Sequence, residues 1–344
     1  MRTSLRGLMA AGTALLITFV ALPADAATTH KNTREAQART ATAKKTSTAR
    51  KATPRKPVRT ATLVRTTDRK VVRVTHVARS APREFDADGN PLLRSNAFMV
   101  QDLTSGRILL EHNAEMAVPI ASITKLMTVM VVLDAHLPLS EELTISDEDT
   151  DKLKNTSSRL IVGTTFPREM MIHLALMSSE NRAAASLGRN YPGGIEAFVA
   201  AMNRKAESLG LTETRFHDST GLNPHNLSSA RDLAKMVTAA SKYPLIREFS
   251  TDDEEVVQIG GRLQTFRNTN ALVKAEDWEI GVSKTGFINE AGRCLVMQAW
   301  LANKPMVIVL LDSVGKFTRV ADAQRIKRWM ETAVAQKQLA MKAS

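Results

Sequence analysis

Ser122 and Lys125 are three residues apart in the segment 121–133, whose apolar composition predicts a buried helix. Side chains at this spacing lie on the same face of a helix. A lysine amine that burial and a nearby cation keep neutral can remove the proton of a neighbouring hydroxyl and make the serine a nucleophile. The pattern alone also fits a helix cap at Ser122 with a solvated Lys125, and it recurs at Ser313 and Lys316, where a loop is predicted.

Two further motifs follow Ser122 in chain order. Ser179-Glu180-Asn181 lies at a predicted helix start, and Lys284-Thr285-Gly286 lies on a predicted edge strand, where a glycine lets another backbone approach closely. Each has a structural explanation when taken alone, because Ser179 could cap the helix and Lys284 could be solvated. Together they are more specific, since each motif falls on the type of element that its chemistry requires.

The remaining periodicity predicts an α+β fold, in which a hairpin is followed by helices, then antiparallel strands and a closing helix. Strands are predicted at residues 97–102, 107–111, 280–287, 294–301 and 306–311, with short strand-like segments at 159–162 and near residue 255. Helices are predicted at residues 168–177, 180–187 and 195–209, from Ser229 onward, and at 320–334.

Residues 1–26 have the composition of a secretory signal peptide. Arg2 and Arg6 precede an apolar run from Leu8 to Leu22, and small residues before Ala27 suit a cleavage site. The sequence therefore predicts a secreted, periplasmic protein with no transmembrane anchor.

A basic segment rich in Thr, Ala, Lys and Arg follows, with 16 Lys and Arg against two Asp and Glu in residues 27–83. Such a composition predicts a disordered linker, assigned to residues 27–88. We interpret it as a tether, with weak attachment to an anionic surface as the alternative. Residues 84–344 carry a net charge of about −3, so nucleic-acid binding by the folded part loses its support.

The folded part is assigned to residues 89–334, followed by a tail at 335–344. Within it, a sheet lobe is predicted at residues 93–135 and 255–334, and a helical lobe at 136–254. The single cysteine, Cys294, lies in an apolar run that predicts a buried thiol and cannot form an intramolecular disulfide.

Four histidines are the candidate ligands of a metal-dependent peptidase, the alternative of another mechanistic class. No pair among them has the spacing of a metal-binding motif, so neither a metal nor another cofactor is predicted. These histidines are His112, His173, His217 and His225.

The three motifs resemble those shared by penicillin-binding proteins and class A β-lactamases. The sequence around them resembles the low-molecular-mass D-alanyl-D-alanine peptidases, and most of all their endopeptidase branch. The segments that carry this resemblance are residues 177–184, 219–222, 229–233 and 284–287. The resemblance covers residues 93–334. It implies a serine β-lactamase/transpeptidase-like fold, an antiparallel sheet flanked by helices plus a helical lobe.

The resemblance also implies roles for the motif residues. Ser122 would be the acylated nucleophile, Lys125 its base and Ser179 the relay of a proton to the leaving amine. The backbone N–H groups of Ser122 and Phe287 would form the oxyanion hole. Substrate binding would fall to Asn181, Lys284, Thr285 and Gly286.

The implied activity is cleavage of D-Ala-containing peptide bonds in peptidoglycan stems, most of all as a DD-endopeptidase that cuts cross-links, with β-lactams as covalent inhibitors. A D-alanyl-D-alanine carboxypeptidase is the alternative. A class A-type β-lactamase is less favoured, because neither Glu180 nor Glu196 matches the deacylating glutamate of that class. A non-catalytic cell-wall binding module is less favoured because the serine and both lysines are intact.

Overall fold

A computed structural model of the chain describes residues 84–87 and 89–343. The predicted signal peptide and nearly all of the predicted linker lie outside these residues. Ordered structure begins before the predicted start at residue 89, because Phe85 and Pro91 form an isolated antiparallel bridge.

The described residues form strands and helices in the predicted α+β order. The strands are β1 (Ser95–Asp102), β2 (Ile108–His112), β3 (Val118–Pro119), β4 (Glu142–Thr144), β5 (Thr165–Pro167), β6 (Leu227–Ser228), β7 (Glu254–Ile259), β8 (Arg262–Arg267), β9 (Glu279–Ile288), β10 (Gly292–Leu301) and β11 (Lys304–Ser313). The helices are α1 (Thr124–Asp134), α2 (Arg168–Met177), α3 (Asn181–Arg189), α4 (Gly194–Ser208), α5 (Ala230–Ala240), α6 (Pro244–Thr251) and α7 (Thr318–Ala343).

Five strands form one antiparallel sheet in the order β2-β1-β11-β10-β9. The last strand, β11, therefore pairs with β1 of the first hairpin in the middle of the sheet. Strand β9 is an edge strand, as predicted for the Lys284 motif. In the register of β9 with β10, Lys284 lies opposite Val296 and Gly286 opposite Cys294.

Side chains alternate between the two faces of this sheet, and each face is covered. One face packs on the helical core, to which Val296 and Val309 belong. The opposite face, with Leu295 and Ile308, packs against Ala323 and Ile326 of α7. The predicted packing of the closing helix on the sheet is confirmed.

Helix α1 is the centre of the helical core. Its residues from Thr124 to Val132 are all buried, as expected for a helix that is apolar on every side. Lys125 is therefore carried into the interior by the surrounding apolar positions, and its amine needs internal partners.

Three sequence predictions were incomplete or wrong. The segment 159–162 is not a strand, because only Leu160 is buried and the Arg159 guanidinium packs over the Phe266 ring. Helix α6 was not predicted. Helix α7 continues to Ala343, across the residues that were assigned to a tail.

In the part of the chain that the structure describes, no helix combines the length and apolarity needed to cross a membrane.

Candidate active site

Ser122 lies in a short 3₁₀ turn, Ala121–Ile123, that leads directly into α1. Its hydroxyl does not cap the helix, since no side-chain cap is formed at either helix start. Ala121 has a left-handed backbone (φ +47°), an uncommon conformation for a residue with a Cβ. This turn leaves the Ser122 hydroxyl partly exposed, with the Lys125 Nζ atom 2.9 Å from its Oγ atom.

The Lys125 amine is fully buried and has three partners. Besides the Ser122 hydroxyl, it reaches the Asn181 Oδ1 atom at 2.8 Å and the Thr220 carbonyl oxygen at 2.7 Å. These two carbonyl oxygens can only accept hydrogen bonds. A neutral amine that donates to both of them has its lone pair left for the Ser122 hydroxyl, which is the geometry of a base.

Burial lowers the pKa of Lys125 from its usual 10.5 to about 7, against the opposing charges of Asp218 and Glu180, which raise it. Burial, one of the two causes expected from the sequence, is the one that lowers the pKa of Lys125. The repulsion between the Lys125 and Lys284 amines adds to burial in holding the pKa of Lys284 well below its usual value, as does Arg319.

Ser179 lies in the tight connection between α2 and α3 with a left-handed backbone (φ +62°). It does not cap α3, whose N-cap residue is Glu180 and which has no side-chain cap. The Ser179 hydroxyl instead accepts a hydrogen bond of 2.8 Å from the Lys284 Nζ atom, which also donates to the Thr285 carbonyl at 3.1 Å. A hydrogen bond between a lysine and a serine thus joins the second and third motifs, and a bond of the same kind lies within the first motif.

Asn181 joins the first motif to the wall of the site. While its Oδ1 atom accepts from Lys125, its Nδ2 atom donates to the Thr156 hydroxyl at 3.1 Å. Thr285 donates to the Thr269 hydroxyl at 2.7 Å.

A cleft of about 280 Å³ brings the three motifs together along the β9 edge. It is lined by Ser122, Thr156, Ser179, Asn181, Leu222, Thr269, Thr285, Gly286, Phe287 and Arg319. The predicted site residues therefore converge. Lys125 and Lys284 lie beneath the cleft floor, each bonded to a serine that lines it.

Two glycines allow the cleft to close tightly around the Ser122 turn. A Cβ atom at Gly286 would lie 2.8 Å from the Ile120 carbonyl oxygen, and one at Gly221 would lie 2.0 Å from the Ala121 carbonyl oxygen. The close backbone approach predicted for Gly286 is confirmed, and the approaching backbone belongs to the Ser122 turn.

Gly221→Ala is expected to destabilise the protein and to slow reaction at Ser122. Gly221 has φ +82° as well as the steric conflict. A left-handed residue with a Cβ costs about 1–2 kcal/mol by itself. Gly210→Ala is the matched control, because Gly210 has φ +66° with nothing within 4 Å of a Cβ. Thermal unfolding should show a clearly larger loss for Gly221→Ala, and equal losses would contradict the packing argument.

Sequence reasoning missed the Thr220 carbonyl, Asp218, Thr156 and Arg319. Backbone carbonyls carry no signal in a sequence, and Thr156 lies in a stretch without periodicity. Arg319 enters through the first turn of α7, where its guanidinium points to the Gly286 carbonyl oxygen at 3.4 Å. A position in the first turn of a helix that follows a sheet strand gave no reason to connect it with the cleft.

The histidines lie apart from this cleft. His173 is buried and stacks on Phe249, while the ring centroids of His217 and His225 lie 5.8 Å apart with the rings tilted by 59°. No group of three or more His, Cys, Asp or Glu side chains suited to a metal ion occurs among residues 84–87 and 89–343. Burial raises the pKa of the Cys294 thiol to about 11, as expected for a structural cysteine.

Comparison with known proteins identifies the family. The family model described as D-alanyl-D-alanine carboxypeptidase matches residues 85–315. The chain belongs to this family. Members of this family are serine peptidases, so the chain is a serine hydrolase that acts on D-alanyl-D-alanine peptides.

Two relatives in the family are named endopeptidases. The D-alanyl-D-alanine endopeptidase of Pseudomonas aeruginosa is 50% identical over 242 residues, which cover 70% of this chain and 78% of that protein. The protein of the same name from Escherichia coli is 48% identical over 244 residues, 70% of this chain and 79% of its own length.

Among solved structures, the Streptomyces K15 DD-transpeptidase superposes with a TM-score of 0.65 at 28% identity, covering 71% of this chain and 99% of that one. The predicted transpeptidase-like α+β fold is therefore confirmed.

Proposed function

We propose that this family member is a DD-endopeptidase that cuts D-Ala-containing cross-links of peptidoglycan through an acyl-enzyme on Ser122. The observation that carries the proposal is the fully buried Lys125 amine, 2.9 Å from the Ser122 hydroxyl, with two carbonyl oxygens taking its other hydrogen bonds. The preference for cross-links is supported by the two relatives at 50% and 48% identity, which are both named endopeptidases.

In the acylation step, the neutral Lys125 amine takes the hydroxyl proton as the Ser122 oxygen attacks the carbonyl carbon of the D-Ala residue. Negative charge then develops on the carbonyl oxygen. The N–H groups of Ser122 and Phe287 are proposed to stabilise it. This is supported by the position of Ser122 in the turn that leads into α1 and of Phe287 next to Gly286 along the cleft. Removing one such donor typically slows acyl transfer by about 10²–10³.

Collapse of the tetrahedral intermediate breaks the C–N bond, and the leaving amine needs a proton. Ser179 is the group proposed to relay it, since its hydroxyl lines the cleft and is bonded to Lys284. The proton that Ser179 relays is the one that Lys125 took from Ser122, so Lys125 is neutral again. Water then attacks the acyl carbon while Lys125 takes one of its protons. The ester C–O bond breaks, Lys125 returns that proton to the Ser122 oxygen, and the acid product leaves as its carboxylate after losing its own proton to solvent. The same serines and lysines are proposed to serve both acylation and deacylation.

Substrate binding is proposed along the exposed edge of β9, where the peptide would add as a further strand. The Asn181 amide and Thr285 face this path. Arg319 lines the cleft near Lys284, and its charge helps to lower the pKa of Lys284. An arriving carboxylate favours the protonated lysine and is bound by it.

Digestion of purified peptidoglycan, with the products identified by mass, tests this function. We expect cross-linked dimers to be converted to monomers, with Ser122→Ala enzyme as the inactive control. Loss of a single terminal alanine from monomers, with the dimers intact, would indicate the carboxypeptidase alternative instead.

A long-lived β-lactam adduct is a further part of the proposal. Among the described residues that line the cleft, none carries a carboxylate that could activate water against a bound β-lactam. Glu180 is held by the Ser158 hydroxyl, and Glu196 lies in the first turn of α4. This supports covalent inhibition by β-lactams over a β-lactamase activity.

The protein is further proposed to act in the periplasm after removal of residues 1–26, with the sheet lobe and the helical lobe as assigned from the sequence. The basic linker is proposed as a tether, and its net charge of +14 over residues 27–83 supports weak attachment to an anionic surface as the alternative. The small net negative charge of residues 84–344 gives no support to nucleic-acid binding.

A further inference from the structure

We infer that Asp218 is a positioning residue for the base: it builds the turn that holds the Thr220 carbonyl oxygen against the Lys125 amine. The inference rests on the proposed function, because it assigns Asp218 a purpose only if Lys125 acts on Ser122. Asp218 touches no cleft-lining group that would contact the substrate's reacting atoms, so it acts through Thr220.

The Asp218 carboxylate is the centre of the turn 218–223. Its Oδ1 atom accepts from the backbone N–H groups of Thr220 at 3.2 Å and Gly221 at 2.7 Å. Its Oδ2 atom accepts from the Thr220 hydroxyl at 2.9 Å and from the Asn223 N–H at 3.1 Å. Both peptide groups beside the Thr220 carbonyl are thus fixed by one side chain, and so is the direction of that carbonyl.

A second buried side chain ties this turn to helix α1. Asn226 is fully buried and donates through Nδ2 to the Asp218 Oδ1 atom at 2.8 Å and to the Thr124 hydroxyl at 3.0 Å. Its Oδ1 atom accepts from the N–H groups of His217 and Asp218. Thr124 immediately precedes Lys125, so the turn and the base are connected by a chain of two hydrogen bonds.

The turn also lies directly against the nucleophile. Gly221 follows Thr220, and an ideal Cβ atom there would lie 2.9 Å from the Ser122 nitrogen as well as 2.0 Å from the Ala121 carbonyl oxygen. A shift of the turn would therefore move the Thr220 carbonyl relative to both Lys125 and Ser122. Misplacement of a catalytic contact by about 1 Å can slow a reaction about 10²-fold.

Asp218 also contributes charge to the site. The groups that face Lys125 are Asp218 from the turn, Glu180 from the start of α3 and Lys284 from β9, besides the neutral Asn181 amide. The negative charge of Asp218 favours the protonated amine and opposes burial, so it raises the pKa of Lys125. Loss of this charge should lower that pKa, and the neutral base should then persist to lower pH.

The test compares Asp218→Ala and Asp218→Asn with the parent enzyme, by the rate of covalent acylation with a labelled penicillin between about pH 5 and pH 9. Asparagine keeps one oxygen for the Thr220 and Gly221 N–H groups but has no charge, whereas alanine removes both. Asp149→Asn is the matched control, because Asp149 is a buried carboxylate that accepts from the Ser146 N–H at 2.8 Å and lies outside the cleft.

We expect the plateau rate of Asp218→Ala to fall about 10- to 100-fold, with most of it recovered in Asp218→Asn. In both variants the fall of the acylation rate on the acid side should move to lower pH. Asp149→Asn should keep the pH dependence of the parent enzyme. A parent-like plateau in Asp218→Ala, or a parent-like acid limb in Asp218→Asn, would overturn the inference. If Asp218→Ala does not fold, the acid side of the pH dependence in Asp218→Asn is sufficient to decide the question.

Failure of the proposed function would look different. In that case the parent enzyme itself would not be acylated at Ser122, or its acylation would not depend on pH near the pKa of Lys125. Failure of the inference leaves both properties of the parent intact and changes only the behaviour of the Asp218 variants.

Discussion

Ser122→Ala is expected to abolish covalent labelling by penicillin and to reduce peptidoglycan cleavage to background, with the fold intact. The Ser122 Oγ atom is the only hydroxyl oxygen bonded to the buried Lys125 amine among the contacts of the described residues. Without it, no oxygen is left to form the ester. The hydroxyl is partly exposed and caps no helix, so its removal should leave thermal unfolding nearly unchanged.

The chain offers a matched control for this substitution. Ser313 begins the second Ser-x-x-Lys sequence, and Ser313→Ala makes the same chemical change there. Ser313 is buried at the end of β11, where its hydroxyl pairs with the Ser95 hydroxyl at 2.7 Å. We expect Ser313→Ala to keep full labelling. Labelling that survives in Ser122→Ala and disappears in Ser313→Ala would exclude the assigned nucleophile.

Lys125→Met should slow acylation by about 10²–10⁴, the usual contribution of a positioned general base. Methionine has nearly the same length and fills the buried space, but it has no lone pair that can take a proton. In the parent enzyme the acylation rate should fall as the pH drops through about 7, because the amine then becomes protonated. The residual rate of Lys125→Met should lack this limb. A pH-dependent limb that persists in the variant would assign the base to another group.

The same variant gives a second readout from stability. The pKa of Lys125 is about 7 in the folded protein against 10.5 for an ordinary lysine. Between these two pH values the unfolded chain binds the extra proton, so the free energy of unfolding rises with pH in this window. Lys284 contributes in the same direction. In Lys125→Met the rise should therefore be smaller but present, and Lys316→Arg should leave it unchanged.

Local patterns were enough to predict much of the scaffold. The bounds of α2 were predicted as observed, and those of α3, α4 and β9 within two residues. The terminal strands and the sheet-facing side of α7 also followed from periodicity, because alternation and 3.6-residue spacing are properties of neighbouring residues. The strand prediction for residues 159–162 was wrong for the same reason. Its apolar residues suggested a strand, but the segment pairs with no strand and contacts Phe266 through Arg159.

For this protein, the sequence alone determined which chemical groups are available, their order along the chain and the element on which each lies. Only the tertiary structure decided how they act on each other, since Lys125 meets Asn181 and Thr220 across 56 and 95 residues, and Lys284 meets Ser179 across 105. The lowered pKa of Lys125, the left-handed turn at Ser179 and the placement of the Thr220 carbonyl by Asp218 depend on these contacts. Burial and distance control proton affinity, and both arise from packing that no local pattern specifies.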